Sequence, residues 1–276
     1  MLYFIENNLT YKIFFPQPLL QDHIEYFFEI KGYPSFSSER LVPNGMPELV
    51  INLGDSCIGN APYLKDAISL KKACLSGIKI QHFNCNHTGL FHLLGVRFRP
   101  AGLCKFFDFE GTDIKSHIYT IEDIMGNRFD TTYEKIGASE TIQEKVKVLE
   151  TWLLQRLKKK EVWDDKIDDA ISKIKNLSHK LEDIISYYQC SHKQFIYQFK
   201  RTTGILPNQL EQITRFQQLM GAIQNSIQPD WQELVYKNGY YDQSHLIRSF
   251  KKFTGLTPSE YHKVAHLSQL NITFFD

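Results

Sequence analysis

The stretch WQELVYKNGYYDQSHLIRSFKKFTGLTPSEY, from Trp231 to Tyr261, decides the C-terminal fold. Trp231, Leu234 and Val235 recur one turn apart and make one apolar helix face. Asn238-Gly239 follows, a pair that tolerates positive φ and so stops a helix. Asp242 has the chemistry of an N-cap. Leu246, Phe250 and Phe253 then fall at i, i+4 and i+7, the spacing of one buried face. Ser244, Arg248 and Lys251 lie opposite, with Gln243 and His245 in the first turn, and Gly255 and Pro258 close the helix. A short helix, a glycine turn and a polar-faced second helix form a helix-turn-helix, whose second helix lies in the DNA major groove.

Gly239-Tyr240, Asp242-Gln243-Ser244-His245, Arg248, Phe250-Lys251, Gly255, Thr257-Pro258 and Tyr261 stand in an order and spacing that resemble the signature of the AraC family of bacterial transcription regulators. That resemblance implies two tandem helix-turn-helix units, and the sequence carries an echo of the first. Phe195, Phe199, Gly204 and Pro207 recur 51 residues later as Leu246, Phe250, Gly255 and Pro258. Leu181, Ile184 and Ile185 recur 50 residues later as Trp231, Leu234 and Val235, so the offset changes in the turn, at Gln189-Cys190-Ser191. The first unit departs from the family pattern. Gln189 stands where the second unit has Gly239, and its second helix, from about His192 to Arg201, turns Lys193, Ile196, Tyr197 and Lys200 outward. Tyr197 suits a phosphate and Ile196 a thymine methyl, rather than hydrogen-bonded base readout. The expected DNA-contacting residues are therefore Lys193, Ile196, Tyr197, Lys200, Gln243, Ser244, His245, Arg248, Lys251 and Lys252. Arg201 is expected beside phosphates as well.

Between the units, Pro207 to Asn225 reads as one long connecting helix with Leu210, Ile213, Phe216, Leu219, Met220 and Ile223 on its apolar face. Upstream, Ile167, Ile171 and Ile174 share a helix face. Lys158-Lys159-Lys160 opens a charged stretch that reads as a linker over 158–166, ahead of a DNA-binding domain at 167–276 with units at 181–201 and 231–252. From Ser186 to Val264 there are nine Lys/Arg against five Asp/Glu, a surplus of +4, while the whole chain is +1. So modest a surplus implies weak non-specific binding, with affinity coming from two specific contacts and dimerisation.

Residues 1–157 read as a second, β-rich domain. Leu2–Ile5 and Tyr11–Phe15 are short apolar runs. Leu19 to Tyr26 reads as a short helix before a strand at Phe27–Ile30, and Arg40–Val42, Pro43-Asn44-Gly45 and Glu48–Leu53 read as a β-hairpin. Ala73–Ile78, Gly89–Phe91 and His92–Phe98 add strands, so a small barrel or sandwich with flanking helices is expected. The segments LVPNGMPELVINLG and LLGVRFRPAGLCKFF resemble the N-terminal domain of a subset of AraC-like regulators, which implies a cupin-like barrel for effector binding or dimerisation. The fold class is then α+β in two domains. Ile121–Met125 reads as a short helix. Gln143 to Leu157 is a longer one, with Val146, Leu149, Trp152, Leu153 and Leu157 either forming a dimer seam or packing on the β domain.

On a strand at Glu48–Leu53, Glu48 and Asn52 share a face. On His92–Arg99, Arg97 and Arg99 share another. An inward Arg97 suits an anionic effector, and the other reading pairs Arg97 or Arg99 with Glu48 or a neighbour. His82, Cys85, His87 and His92 lie within eleven residues. Their spacing does not give a zinc set, because His82 and Cys85 would face opposite ways on a strand, so neither metal nor cofactor is expected. A nucleophile elbow, phosphate loop and dinucleotide fingerprint are all missing from the sequence. Cys190, in the first turn, reads as a small buried residue. The chain is thus expected to be a non-enzymatic, cytoplasmic homodimer without a membrane span, binding double-stranded DNA, a small-molecule effector and, by resemblance, RNA polymerase. Five cysteines without a C-x-x-C pair fit a reducing compartment. The competing reading is a metal-binding or enzymatic cupin-like domain fused to a DNA-targeting module.

Overall fold

A computed structural model describes residues 2–62, 64–114, 117–177, 179–224, 226, 229–264, 266–267 and 272–275, with side chains up to residue 263. In chain order the strands are β1 (Leu2–Glu6), β2 (Leu9–Phe14), β3 (Ile24–Gly32), β4 (Ser38–Leu41), β5 (Glu48–Asn52), β6 (Cys57–Asn60), β7 (Ile68–Leu70), β8 (Ala73–Ser76), β9 (Phe83–Asn86), β10 (Phe91–Phe98), β11 (Ile118–Thr120), β12 (His266–Leu267) and β13 (Ile272–Phe275). The helices are α1 (Gly111–Ile114), α2 (Ile121–Met125), α3 (Asp130–Ala138), α4 (Ile142–Leu154), α5 (Asp164–Asn176), α6 (Leu181–Tyr187), α7 (His192–Thr203), α8 (Pro207–Gln224), α9 (Trp231–Lys237), α10 (Gln243–Thr254) and α11 (Pro258–Val264). None of the described helices is long and apolar enough to cross a membrane.

Two antiparallel sheets form an open sandwich rather than a closed barrel. One has the order β1-β2-β3-β10-β5-β8-β11 and the other β12-β13-β4-β9-β6-β7. Alternation along the strands separates the two faces of the larger sheet. Leu49, Ile51, Leu94 and Val96 point to the helical side and pack with Phe129, Leu149, Trp152 and Leu153. Val50, Leu93, Phe28 and Ile30 point the other way, toward the smaller sheet and its Phe83 and Cys85. Leu149 and Leu153, on α4, are fully buried against the sandwich. The apolar face of α4 is therefore domain core and not a dimer seam.

Three expected elements differ. Leu19 to Tyr26 is not a helix: a 3-10 turn at Pro18–Leu20 gives way to β3 by Ile24. The Pro43-Asn44-Gly45 turn does not close a hairpin, because β4 and β5 belong to different sheets. Gly45 has φ 76, and the open side where a Cβ would sit faces Leu210 and Ile213 of α8, so the turn is shaped by the connecting helix and not by its own strands. The third is the charged stretch before α5, which is structured: α5 begins at Asp164, whose carboxylate forms a buried ion pair with Lys105 of the sandwich.

Helices α5 to α11 surround a second core of Ile171, Ile184, Phe195, Phe199, Phe216 and Phe250, which also takes in Val42, Ile78 and Ala101 from the sandwich. Leu210, Ile213, Phe216, Leu219, Met220 and Ile223 of α8 are all buried, as their period requires. The expected end of that helix at residue 225 lies outside the described residues.

Candidate nucleic-acid interface and effector pocket

The two helix-turn-helix units repeat each other atom for atom at their hinge points. Ser191 caps α7 by accepting from Gln194 N at 3.2 Å, and Asp242 caps α10 by accepting from His245 N at 2.6 Å. At the far ends Gly204 and Gly255 sit left-handed at φ 80 and 78, and each amide donates to a carbonyl four residues back, Lys200 O and Lys251 O, at 2.8 Å. Thr203 Oγ1 donates to Phe199 O at 2.8 Å, and Thr254 Oγ1 to Phe250 O at 2.9 Å. The turns match too. Gln189 has φ 50 where Gly239 has φ 68, so the first unit places a side chain in a conformation that costs ~1–2 kcal/mol.

Gln243, Ser244, His245, Arg248, Lys251 and Lys252 are all exposed on α10, as are Lys193, Tyr197 and Lys200 on α7. Arg248 has no ion pair among the described residues. His245 is partly committed: its Nδ1 accepts from Tyr241 N at 3.4 Å and its ring meets Tyr240 edge to face. Two expectations change. Ile196 is half-buried and packs against the helical core, leaving it less free to touch a base. Arg201 does not stand free for a phosphate, since its Nε donates to Glu110 at 2.7 Å and its guanidinium lies 3.8 Å from Glu161.

Arg201 belongs to a clamp. The sandwich touches both polar-faced helices at equivalent C-terminal points. On α7, Gly111 packs directly on Gly204, and the Cys104 thiol donates to Thr202 O at 3.3 Å. On α10, the Arg40 guanidinium donates to Thr254 O at 2.6 Å, with His82 packed beside Gly255. Burial first, and then the Arg40 charge, hold the His82 pKa down to about 4.

Between the two sheets lies a cavity of about 80 Å³ with a mostly apolar wall. At one end Glu48 is buried between two cations. Lys79 Nζ donates to Glu48 Oε2 at 2.7 Å, the Arg97 guanidinium pairs with Oε1, and Arg97 also donates to Tyr26 Oη at 2.7 Å. Burial alone would raise the Glu48 pKa, but Arg97 and Lys79 overcome it and hold the carboxyl at about 2. Asn52 lines the same cavity, its amide donating to Asp55 O and Leu70 O. Arg99 does not: β10 ends at Phe98, and Arg99 lies beyond it, half-exposed and 3.5 Å from Glu25. At the other end Cys57, Cys85, His87 and Glu39 converge. The two sulfurs are 3.4 Å apart, and His87 Nε2 lies 2.9 Å from Glu39 Oε1. The Cys85 contact first, and then His87, lower the Cys57 thiol to about 6 against the opposing effect of burial. Burial would lower the His87 pKa, but Cys57 and Glu39 prevail and raise it to about 9.

Comparison with known proteins bears on the C-terminal half directly. A family described as "Helix-turn-helix domain" matches residues 185–263, the segment holding the repeated hinge geometry and the AraC-like signature. This segment is a helix-turn-helix domain. In the N-terminal half, a "Domain of unknown function (DUF6597)" matches residues 12–119. Among solved structures, ToxT from Vibrio cholerae is similar at 9% identity and a TM-score of 0.47, covering 86% of this chain and 98% of that one. A ToxT structure described as bound to unsaturated fatty acid has 13% identity and a TM-score of 0.43, covering 82% and 91%. No curated protein matches this chain.

The sequence-derived cluster of His82, Cys85, His87 and His92 divides. His82 goes to the domain interface, His92 bonds Glu29 at 2.9 Å, and Cys85 and His87 enter the cavity. Lys79, Glu39 and Cys57 were missed. Cys57 is brought in by pairing of β6 with β9 across 28 residues, a register that short strands do not advertise.

Proposed function

We propose that this regulator reads DNA with α7 and α10 in successive major grooves of one face, and that its sandwich sets how the two helices are presented when a small effector enters the cavity. The observation that supports this is the clamp at Gly204 and Gly255. One body touches both reading helices at points related by the 51-residue repeat, so a shift of the sandwich acts on both at once. Gln243, Ser244, His245 and Arg248 are assigned to bases. Lys193, Tyr197, Lys200, Lys251 and Lys252 are assigned to phosphates, which leaves the second unit with most of the sequence information. Effector contact falls to Glu48, Asn52 and Arg97. Two cations against one carboxylate favour an acidic effector.

The protein works without catalysis, in the cytoplasm, and meets RNA polymerase as the family resemblance implies. Because α4 is spent on the domain core, we place the homodimer contact on the outer strand β1, where Leu2, Tyr3 and Ile5 are 55, 56 and 64% exposed. Selection from random DNA followed by footprinting tests the DNA reading. Two protected major-groove segments about one helical turn (~34 Å) apart on one face are expected. Protection of a single segment would sink the two-headed reading.

A further inference from the structure

We propose that Cys57, Cys85 and His87 form a binding site for a soft or borderline divalent metal ion, zinc by preference, with Glu39 as fourth ligand or as partner of the histidine. The proposal stands apart from the DNA-reading function and from any organic effector. It starts from backbone register. In the antiparallel pair β6 and β9, Gly59 is opposite Cys85 and Ile58 is opposite Asn86, so Cys57 falls opposite His87. Strand alternation then puts Cys57, Cys85 and His87 on one face, the face that lines the cavity. One ligand atom from each of the three lies within 4.8 Å of the others, and the sulfurs are 3.4 Å apart. That is a span which a small ion can close with minor side-chain rotation.

A second observation points to a missing partner. The side chains of His87 and Glu39 are only 5% and 4% exposed. Yet His87 Nε2 and Glu39 Oε2 are buried without a hydrogen bond among the described residues. Glu39 Oε1 stands 2.9 Å from Nε2, close enough for charge attraction but without hydrogen-bond alignment. Buried polar atoms in a native structure are nearly always satisfied, and an ion is one of the few things that would satisfy both here. Two thiolates and an imidazole select zinc over calcium or magnesium, which want oxygen cages. Zinc also cancels the charge of the two thiolates that hold it. Binding displaces thiol and imidazolium protons to solvent, so no co-reactant is needed.

The test uses the full-length protein, reduced and stripped with chelator, titrated with Co²⁺ and then Zn²⁺. One equivalent of cobalt should bind with thiolate-to-cobalt charge-transfer absorption, and zinc should bleach it. Cys57→Ser and Cys85→Ser should each remove that absorption, while Cys104→Ser and Cys190→Ser keep it. Glu39→Gln should weaken zinc roughly 10- to 100-fold, the usual effect of losing a group that orients a ligand. Near-ultraviolet circular dichroism of each variant checks folding, and the wild-type cobalt spectrum reports sulfur ligation even if a variant fails to fold. Cobalt binding without charge transfer, or charge transfer that survives both serine variants, would overturn the assignment. So would a reduced protein that takes up no metal and instead joins Cys57 to Cys85 as a disulfide under mild oxidant. None of these readouts involves DNA.

Discussion

Gly111→Ala tests the clamp at its tightest point. Gly111 lies in α1, and its φ is not in the left-handed region, so alanine is tolerated locally. The new methyl carbon would nevertheless stand 2.4 Å from Gly204 N and 3.0 Å from Arg201 O. Both are backbone atoms and neither can swing aside, so α1 and α7 must separate by ~1 Å to reach ordinary contact, which is overpacking of the kind that costs about 1–3 kcal/mol. The Cys104–Thr202 and Arg201–Glu110 hydrogen bonds lie on the same seam and weaken with it. The population of undocked α7 should therefore rise roughly 5- to 150-fold, read as faster amide exchange over residues 199–205. Gly137→Ala is the control. It is helical with nothing within 4 Å, so it should stabilise by about 0.5–1 kcal/mol. If Gly111→Ala leaves exchange in α7 unchanged and behaves like the control, the sandwich does not hold the first reading helix as argued.

Other outcomes follow from the same geometry. Arg248→Ala should lose about 1–3 kcal/mol on the preferred site and relax selection at one or two base pairs; uniform weakening in a random-DNA selection would make it a phosphate contact instead. Gln189→Gly should relieve the left-handed strain and, after the added chain entropy, raise the stability of the helical domain by about 0.5–1 kcal/mol in denaturant titration. Leu149→Asp should unfold the sandwich rather than yield a folded monomer, since it buries an unpaired charge where α4 is fully covered; circular dichroism and light scattering separate the two. Acid should loosen the clamp through His82. Its docked pKa of about 4 lies below its free value of 6.5, so the undocked state binds more protons in that window. Docking is then fully supported above pH 6.5 and weakens toward pH 4, by on the order of 3 kcal/mol, as exchange in α10 would report.

What was legible in the sequence was what is local. Leu246, Phe250 and Phe253 announce the buried side of α10 because a 3.6-residue period needs no partner to be seen, and Asp242 announces its cap three residues ahead of the amide it accepts from. The periodicity of α4 is equally clear but silent about its partner, so it fits a dimer seam and a core face alike, and only the packing of Leu149 against the sheet decides between them. Strands of three or four residues carry too few alternations to fix their pairing, so the meeting of Cys57 with His87 and the crossing of the chain between sheets at Gly45 could not be read. Arg99 departs from its expected face because β10 ends at Phe98, and a residue past the end of a strand no longer follows its alternation.

Arg97 joins the two halves of this picture. One side of its guanidinium pairs with Glu48 in the sheet cavity. The other donates to Tyr26, which with Gly45, Leu210, Ile213 and Gln217 lines a second cavity of about 250 Å³ against α8. A ligand that draws Arg97 toward the sheets therefore loosens a contact beneath the helix that spaces the two reading heads. Which ligand can do so is limited by energy: stripping a buried charge of its partner costs about 3–5 kcal/mol. A neutral molecule that displaced Glu48 would have to meet that cost from apolar burial in a cavity of about 80 Å³, too small to supply it. A compact acid brings its own carboxylate to Arg97 or Lys79 and leaves no charge unpaired. We therefore expect this route to α8 to favour small anions over neutral molecules of the same size.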